Sequence, residues 1–171
     1  NLADARYFAA EGVEWMGFCF NRESPKNISL EYAQEILNWV NGPKVIAEIS
    51  YQNINEINEL VEKLGMDFIQ TKEKFQSVAY SLITIPIIQE IIIDNGFSEE
   101  KLRQTLSELK KYTAYFLLNF NQNKICWKNI CKKEFLSIEI LQSICKEYPV
   151  ILDFDFNKEN LFLPVYGQGM H

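Results

Sequence analysis

The stretch NLADARYFAAEGVEWMGFCFNRESPKNIS, residues 1–29, holds a helix start, an amphipathic helix, a glycine turn, an apolar strand and a charged loop. Asn1 suits an N-cap, with Asp4 at the third helical position near the positive end of the helix dipole. Leu2, Ala5, Phe8 and Ala9 fall near one helical face, and Gly12 suits a left-handed helix end. Residues 13–20, VEWMGFCF, form an apolar run of strand length with no polar alternation, as a strand buried on both faces of a parallel sheet reads. The loop Asn21–Asn27 follows at the strand's C-terminal end, the end at which α/β folds usually meet ligands.

The same alternation continues outward. Ser29 starts a second helix, with Leu30, Ala33, Ile36, Leu37 and Val40 at helical spacing, and Asn41-Gly42-Pro43 stops it. Strand 44–50 leads to a helix over about 54–64 closed by Gly65, then to a short strand at 66–71 with the polar exit Lys72-Glu73-Lys74. Residues 75–81 read as a helix or an irregular turn. The run 85–93 is the richest in β-formers. Ser98 then caps a helix to about Tyr112, acidic at its start and basic at its end. Strand 115–120, a polar loop at 121–124, a helix over about 137–148, strand 149–156, a brief helical turn at 157–161 and a last strand at 163–167 complete the pattern. Strands alternating with helices at this spacing call for a parallel sheet with right-handed crossovers. The pattern alone fits an open doubly wound sheet as well as a barrel.

Composition narrows the function classes. A chain of 171 residues, 47% of them hydrophobic, can bury one substantial core, so one domain over 1–171 is expected. A net charge of −6 and a pI near 4.9 argue against a nucleic-acid or anionic-membrane surface. The longest apolar runs are strand-sized, so no membrane span is expected, and no signal peptide is visible. Cys19, Cys126, Cys131 and Cys145 match no zinc spacing, and the single histidine is His171. Neither a metal nor another cofactor is expected, and a cytoplasmic chain, monomeric or homodimeric, is the default reading.

Three pieces, Asn1-Leu2-Ala3-Asp4-Ala5, Gly17-Phe18-Cys19-Phe20 and Ser24-Pro25-Lys26, stand in an order and spacing that resembles the phosphoribosylanthranilate isomerase family. The resemblance thins toward Gly167. It implies a (β/α)8 TIM barrel of that family's type, with the first strand before Asn1 and the last helix missing. It also implies a small phosphorylated sugar as ligand and an Amadori rearrangement, in which an acid opens the ribose ring and a base removes the C2′ proton.

Matched residue by residue, the scaffold agrees and the rim departs. The family's acid is an aspartate ending an "LLD" strand; here the pattern is Leu117-Leu118-Asn119. An amide can hydrogen-bond a ring oxygen but has no proton to give at neutral pH. Its base is a cysteine on the strand before Asn1, and Cys19, inside an apolar strand, reads as core instead. Lys26 takes the place of an arginine that holds the anthranilate carboxylate, keeping the charge without the fork. The glycine-rich phosphate loop becomes 121–124 without glycine, and "AGGLNPENV" becomes Asp153-Phe154-Asp155-Phe156-Asn157-Lys158-Glu159-Asn160-Leu161. Phe154 obstructs the phosphate's approach to the backbone, and Asp155 repels a dianion. Gln70 is kept, but the histidine near it is Lys72. The resemblance thus gives Asn119 as the acid position and Lys26, Gln70, Lys72, Asp153 and Asp155 as ligand-facing residues. The expectation is an isomerase-like barrel with weak or no isomerase activity. The alternatives are an active isomerase with another acid, or a barrel turned to another sugar-phosphate ligand or a protein partner. In that last case the rim residues Glu48, Lys72, Asp153 and Asp155 are available, and Asp153 and Asp155 point the same way along a strand.

Overall fold

Hydroxyl and amide side chains start five of the helices. The main-chain N–H of Asp4 donates to Asn1 Oδ1 (3.0 Å), that of Tyr32 to Ser29 Oγ (3.2 Å) and that of Asn55 to Asn53 Oδ1 (3.0 Å). Lys101 N–H donates to Ser98 Oγ (3.2 Å) and Ile140 N–H to Ser137 Oγ (3.3 Å). Each bond satisfies a donor that the first helical turn leaves open. The computed structural model describes residues 1–50, 53–131 and 136–154. These hold helices α1 (Leu2–Ala10), α2 (Leu30–Leu37), α3 (Ile54–Leu64), α4 (Ser77–Leu82), α5 (Glu99–Leu109), α6 (Trp127–Cys131) and α7 (Ile138–Glu147). The strands are β1 (Trp15–Cys19), β2 (Lys44–Ile49), β3 (Phe68–Thr71), β4 (Ile87–Ile92), β5 (Tyr115–Asn119) and β6 (Val150–Asp153). No described helix is long and apolar enough to cross a membrane.

All strands are parallel and pair in chain order, β1-β2-β3-β4-β5-β6. Alternate residues therefore face opposite sides. Val45, Ala47, Ile49, Ile69, Ile87, Ile91, Phe116 and Leu118 pack with Ala33, Ile36, Ile57, Leu60, Leu102, Leu106, Leu141 and Ile144 of the helices in the main core. Ile46, Phe68 and Ile88 gather with Trp15, Tyr115 and Leu117 in a second, smaller cluster on the other face. The Trp15 ring lies 5.0 Å from that of Tyr115 and 5.1 Å from that of Phe68. In a flat sheet β1 and β5 would be about 19 Å apart, four steps of ~4.8 Å. The sheet is therefore strongly curled, a half-barrel whose concave face is plugged at its lower end by these rings.

Two polar groups serve the outer layers. Gln89, fully buried, accepts from the Tyr80 hydroxyl (2.9 Å) and donates to the carbonyls of Thr71 (3.0 Å) and Glu73 (3.3 Å), fastening α4 and the exit of β3 to β4. Arg103 of α5 donates to Glu99 (2.7 Å), Glu147 (2.9 Å) and Ser143 (3.0 Å), joining α5 to α7.

The structure supports the expected parallel α/β architecture and shows six of its strands. Among the described residues the sheet is six-stranded and open, because β1 pairs only with β2 and β6 only with β5, so no closed (β/α)8 barrel is formed by them. The expected strand at 163–167 and turn at 157–161 lie outside the described residues. The ambiguous segment at 75–81 contains α4, and the loop after β5 contains a 3-10 turn at Asn121–Asn123.

Gly65 ends α3 with φ +65°, a left-handed conformation in which a side chain is strained. Gly65→Ala is expected to cost about 1 kcal/mol in urea unfolding. Glu147 is held below the ordinary carboxylate range, first by the hydrogen bond from Arg103 and then by that from Ser143. A depressed carboxyl stabilises the fold above its unfolded value and loses that contribution as pH falls through the folded one. Arg103→Leu should therefore lower Tm at pH 7, with the gap from the parent narrowing as the solution is acidified below pH ~4.

Candidate functional site

Parallel strands direct their C-terminal ends to one rim, and the concave face there changes from aromatic to polar. Moving up from Phe68, Ile88 and Leu117, the next inward positions are Gln70, Glu90 and Asn119, with Glu48 on β2 and Asp153 on β6. Glu48 pairs in register with Gln70, and Asn119 with Asp153. All five side chains belong to half-buried residues.

Glu90 is the centre of this layer. Gln70 Nε2 donates to its Oε2 (3.1 Å) and Asn119 Nδ2 to its Oε1 (2.6 Å), so one carboxylate is fixed from both neighbouring strands. At the other end of its amide, Asn119 Oδ1 accepts the N–H of Gln122 (2.8 Å) and caps the turn that follows β5. Both ends of the Asn119 side chain are engaged in holding structure.

Asp153 stands beside this pair. Burial, and next the negative charge of Glu90, push its carboxyl above the ordinary range. A hydrogen bond with the Asn121 side chain and the charge of Lys26 pull partly the other way. Lys26, exposed in the loop after β1, thus acts electrostatically on β6 across the mouth of the half-barrel. It also lines a groove of about 450 Å³ with Asp4, Phe8, Trp15 and Gly17 along the open edge of β1.

Of the residues named from the sequence, Gln70 and Asn119 meet on Glu90, while Asp153 and Lys26 are coupled through charge. Lys72 is exposed beyond the end of β3, outside this hydrogen-bonded layer. Asp155 lies outside the described residues. Cys19 is buried, as expected of a packed thiol. The Phe154 ring is buried too, stacked on Phe120 (4.5 Å) and edge-on to Trp127 (5.3 Å), so aromatic rings fill the space just beyond β6.

In the sequence Glu90 reads as one residue of the β-former-rich run 85–93. A signal was there: Gln89-Glu90 are adjacent polar residues in a strand buried on both faces, so one must point to each side. The buried Gln89 serves the helices and Glu90 the concave face.

A family model described as N-(5'phosphoribosyl)anthranilate (PRA) isomerase matches residues 1–121. A search of curated proteins returns no match. Among solved structures, phosphoribosyl anthranilate isomerase from Thermotoga maritima aligns with a TM-score of 0.69 at 18% identity, over 90% of this chain and 72% of that one. The isomerase from Thermus thermophilus gives 0.66 at 17%, over 89% and 71%. A further phosphoribosyl anthranilate isomerase, in complex with reduced 1-(o-carboxyphenylamino)-1-deoxyribulose 5-phosphate, gives 0.63 at 18%, over 91% and 82%. At these identities the structural likeness speaks for the fold, and the family model, covering well over half of the sequence, speaks for descent. The chain belongs to the N-(5'-phosphoribosyl)anthranilate isomerase family.

Proposed function

We propose that this chain is a phosphoribosylanthranilate isomerase-type barrel domain, spanning 1–171, in which the isomerase reaction is weak or absent. In this reading the rim still faces a small phosphorylated sugar, with Lys26, Gln70 and Asp153 toward the ligand. The observation that carries it is the state of Asn119. Its Nδ2 is given to Glu90 and its Oδ1 to the Gln122 N–H, so the family's acid position holds a structural amide. Losing a general acid costs about a hundredfold to ten-thousandfold in rate. The glycine-free segment at 121–124 and the buried Phe154 support the same reading, because side chains there hinder a phosphate's approach to the backbone N–H groups.

The test is a fluorescence assay of the purified full-length protein with freshly made phosphoribosylanthranilate. Turnover should lie about a hundredfold or more below that of a family member bearing the aspartate, and a rate at the family's level overturns the reading. A stability measurement examines the structural half of the argument. Asn119→Asp would set a second carboxylate 2.6 Å from Glu90 Oε1. Its Tm should fall at pH 8, recover as pH is lowered toward 4.5, and recover at pH 8 in the Asn119→Asp/Glu90→Gln double variant.

A further inference from the structure

We propose that proton transfer at this rim is carried by a pair on the strands flanking Asn119, with Glu90 of β4 as base and Asp153 of β6 as acid. The proposal rests on the reading above that the site is isomerase-like. It assigns whatever turnover exists to two residues that do not occupy the family's acid position.

The topology supplies the geometry. β4, β5 and β6 are consecutive in the sheet, and Glu90, Asn119 and Asp153 all face its concave side near the C-terminal ends. Two strand spacings place the backbones of β4 and β6 about 10 Å apart or less, with Asn119 of β5 between them. Asn119 contacts Glu90 directly and stands opposite Asp153 in register, so the three residues form one layer across β4, β5 and β6.

Their environments differ in the way an acid and a base require. Each oxygen of Glu90 accepts one amide hydrogen, from Gln70 and from Asn119, which fixes the carboxylate plane and leaves each oxygen another lone pair. That is a positioned acceptor. Asp153 faces Glu90 from β4, Lys26 from the loop after β1 and Asn121 from the turn after β5, and it is half-buried. Burial and Glu90 outweigh the other two groups, so Asp153 keeps its proton to higher pH than an ordinary aspartate does. That is a donor.

The family resemblance implies a substrate that would use both, an aldose carrying an amine at C1. Asp153 gives its proton to the ring oxygen as the C1–O bond breaks, and the nitrogen lone pair forms the C=N bond. Glu90 then takes the proton from C2; the C–H electrons form C1=C2 and the C=N electrons return to nitrogen. Asp153 ends as carboxylate and Glu90 as acid, and solvent exchanges both back. No oxidant or reductant is consumed.

The experiment uses the full-length protein with phosphoribosylanthranilate and the variants Glu90→Gln, Glu90→Asp and Asp153→Asn. Glu90→Gln and Asp153→Asn are each expected to lower kcat about a hundredfold with little change in KM, and Glu90→Asp to fall between. The high-pH limb of the parent's rate profile should vanish in Asp153→Asn. By carboxyl NMR, the Asp153 midpoint should drop in Glu90→Gln. A raised carboxyl penalises the fold as pH climbs from its unfolded value through its folded one, so Asp153→Asn should raise Tm at pH 7, which also shows that it folds. Unchanged rates in these variants, or a parent with no turnover at all, overturn the pair. A silent parent leaves the weak-or-absent reading standing, whereas family-level turnover lost in Asp153→Asn overturns that reading and supports the pair.

Discussion

Trp15 and Tyr115 touch although three strands lie between the ones that carry them. Everything at the rim depends on that contact. A sheet flat enough to separate these rings would spread Gln70, Glu90, Asn119 and Asp153 along a surface. The curl turns them toward one mouth. Burying a large ring contributes about 1.5–3 kcal/mol, and a well-placed aromatic pair adds about 0.5–1.5 kcal/mol. The Trp15–Phe68–Tyr115 group is thus a strong enough apolar plug to hold the concave face closed at its lower end, where Lys44 further covers Phe68.

The plug also sets the electrostatics above it. Charges resting on an apolar floor are solvated from one side only, so their mutual interactions are stronger than on an open surface. Glu90 answers this with amide donors on both oxygens. Asp153, half-buried beside Glu90, has its carboxyl pushed above the ordinary range. The outer face handles its own buried polar residue differently: Gln89 is neutral and fully bonded to Tyr80, Thr71 and Glu73, and so it fastens layers without leaving a reactive group.

How much of this the sequence reveals follows from the range of each interaction. Ser29, Ser98 and Ser137 cap helices through bonds three residues along the chain, and Gly65 stops α3 by its own backbone freedom, so those elements are legible. Helix α4 is ambiguous because no side chain caps its start; Tyr80 anchors it to Gln89 through tertiary structure. Asn119 is conspicuous only against a family pattern. Glu90 escapes notice because its partners are 20 and 29 residues away and meet it through strand register. The same distance hides the coupling of Lys26 to Asp153.

Register also explains why an amide at 119 and a carboxylate at 90 belong together. Two carboxylates at the separation seen between Asn119 Nδ2 and Glu90 Oε1 must share a proton or move apart. With an amide on β5, the layer keeps a donor on either side of Glu90 and needs no such compromise. Negative charge is then carried by Glu48, Glu90 and, when it ionises, Asp153, opposed across the mouth by Lys26. Such a rim is most negative near β6 and carries Lys26 on the far side. The charge of this rim is therefore set by the neutral amide on β5 as much as by the carboxylates on either side of it.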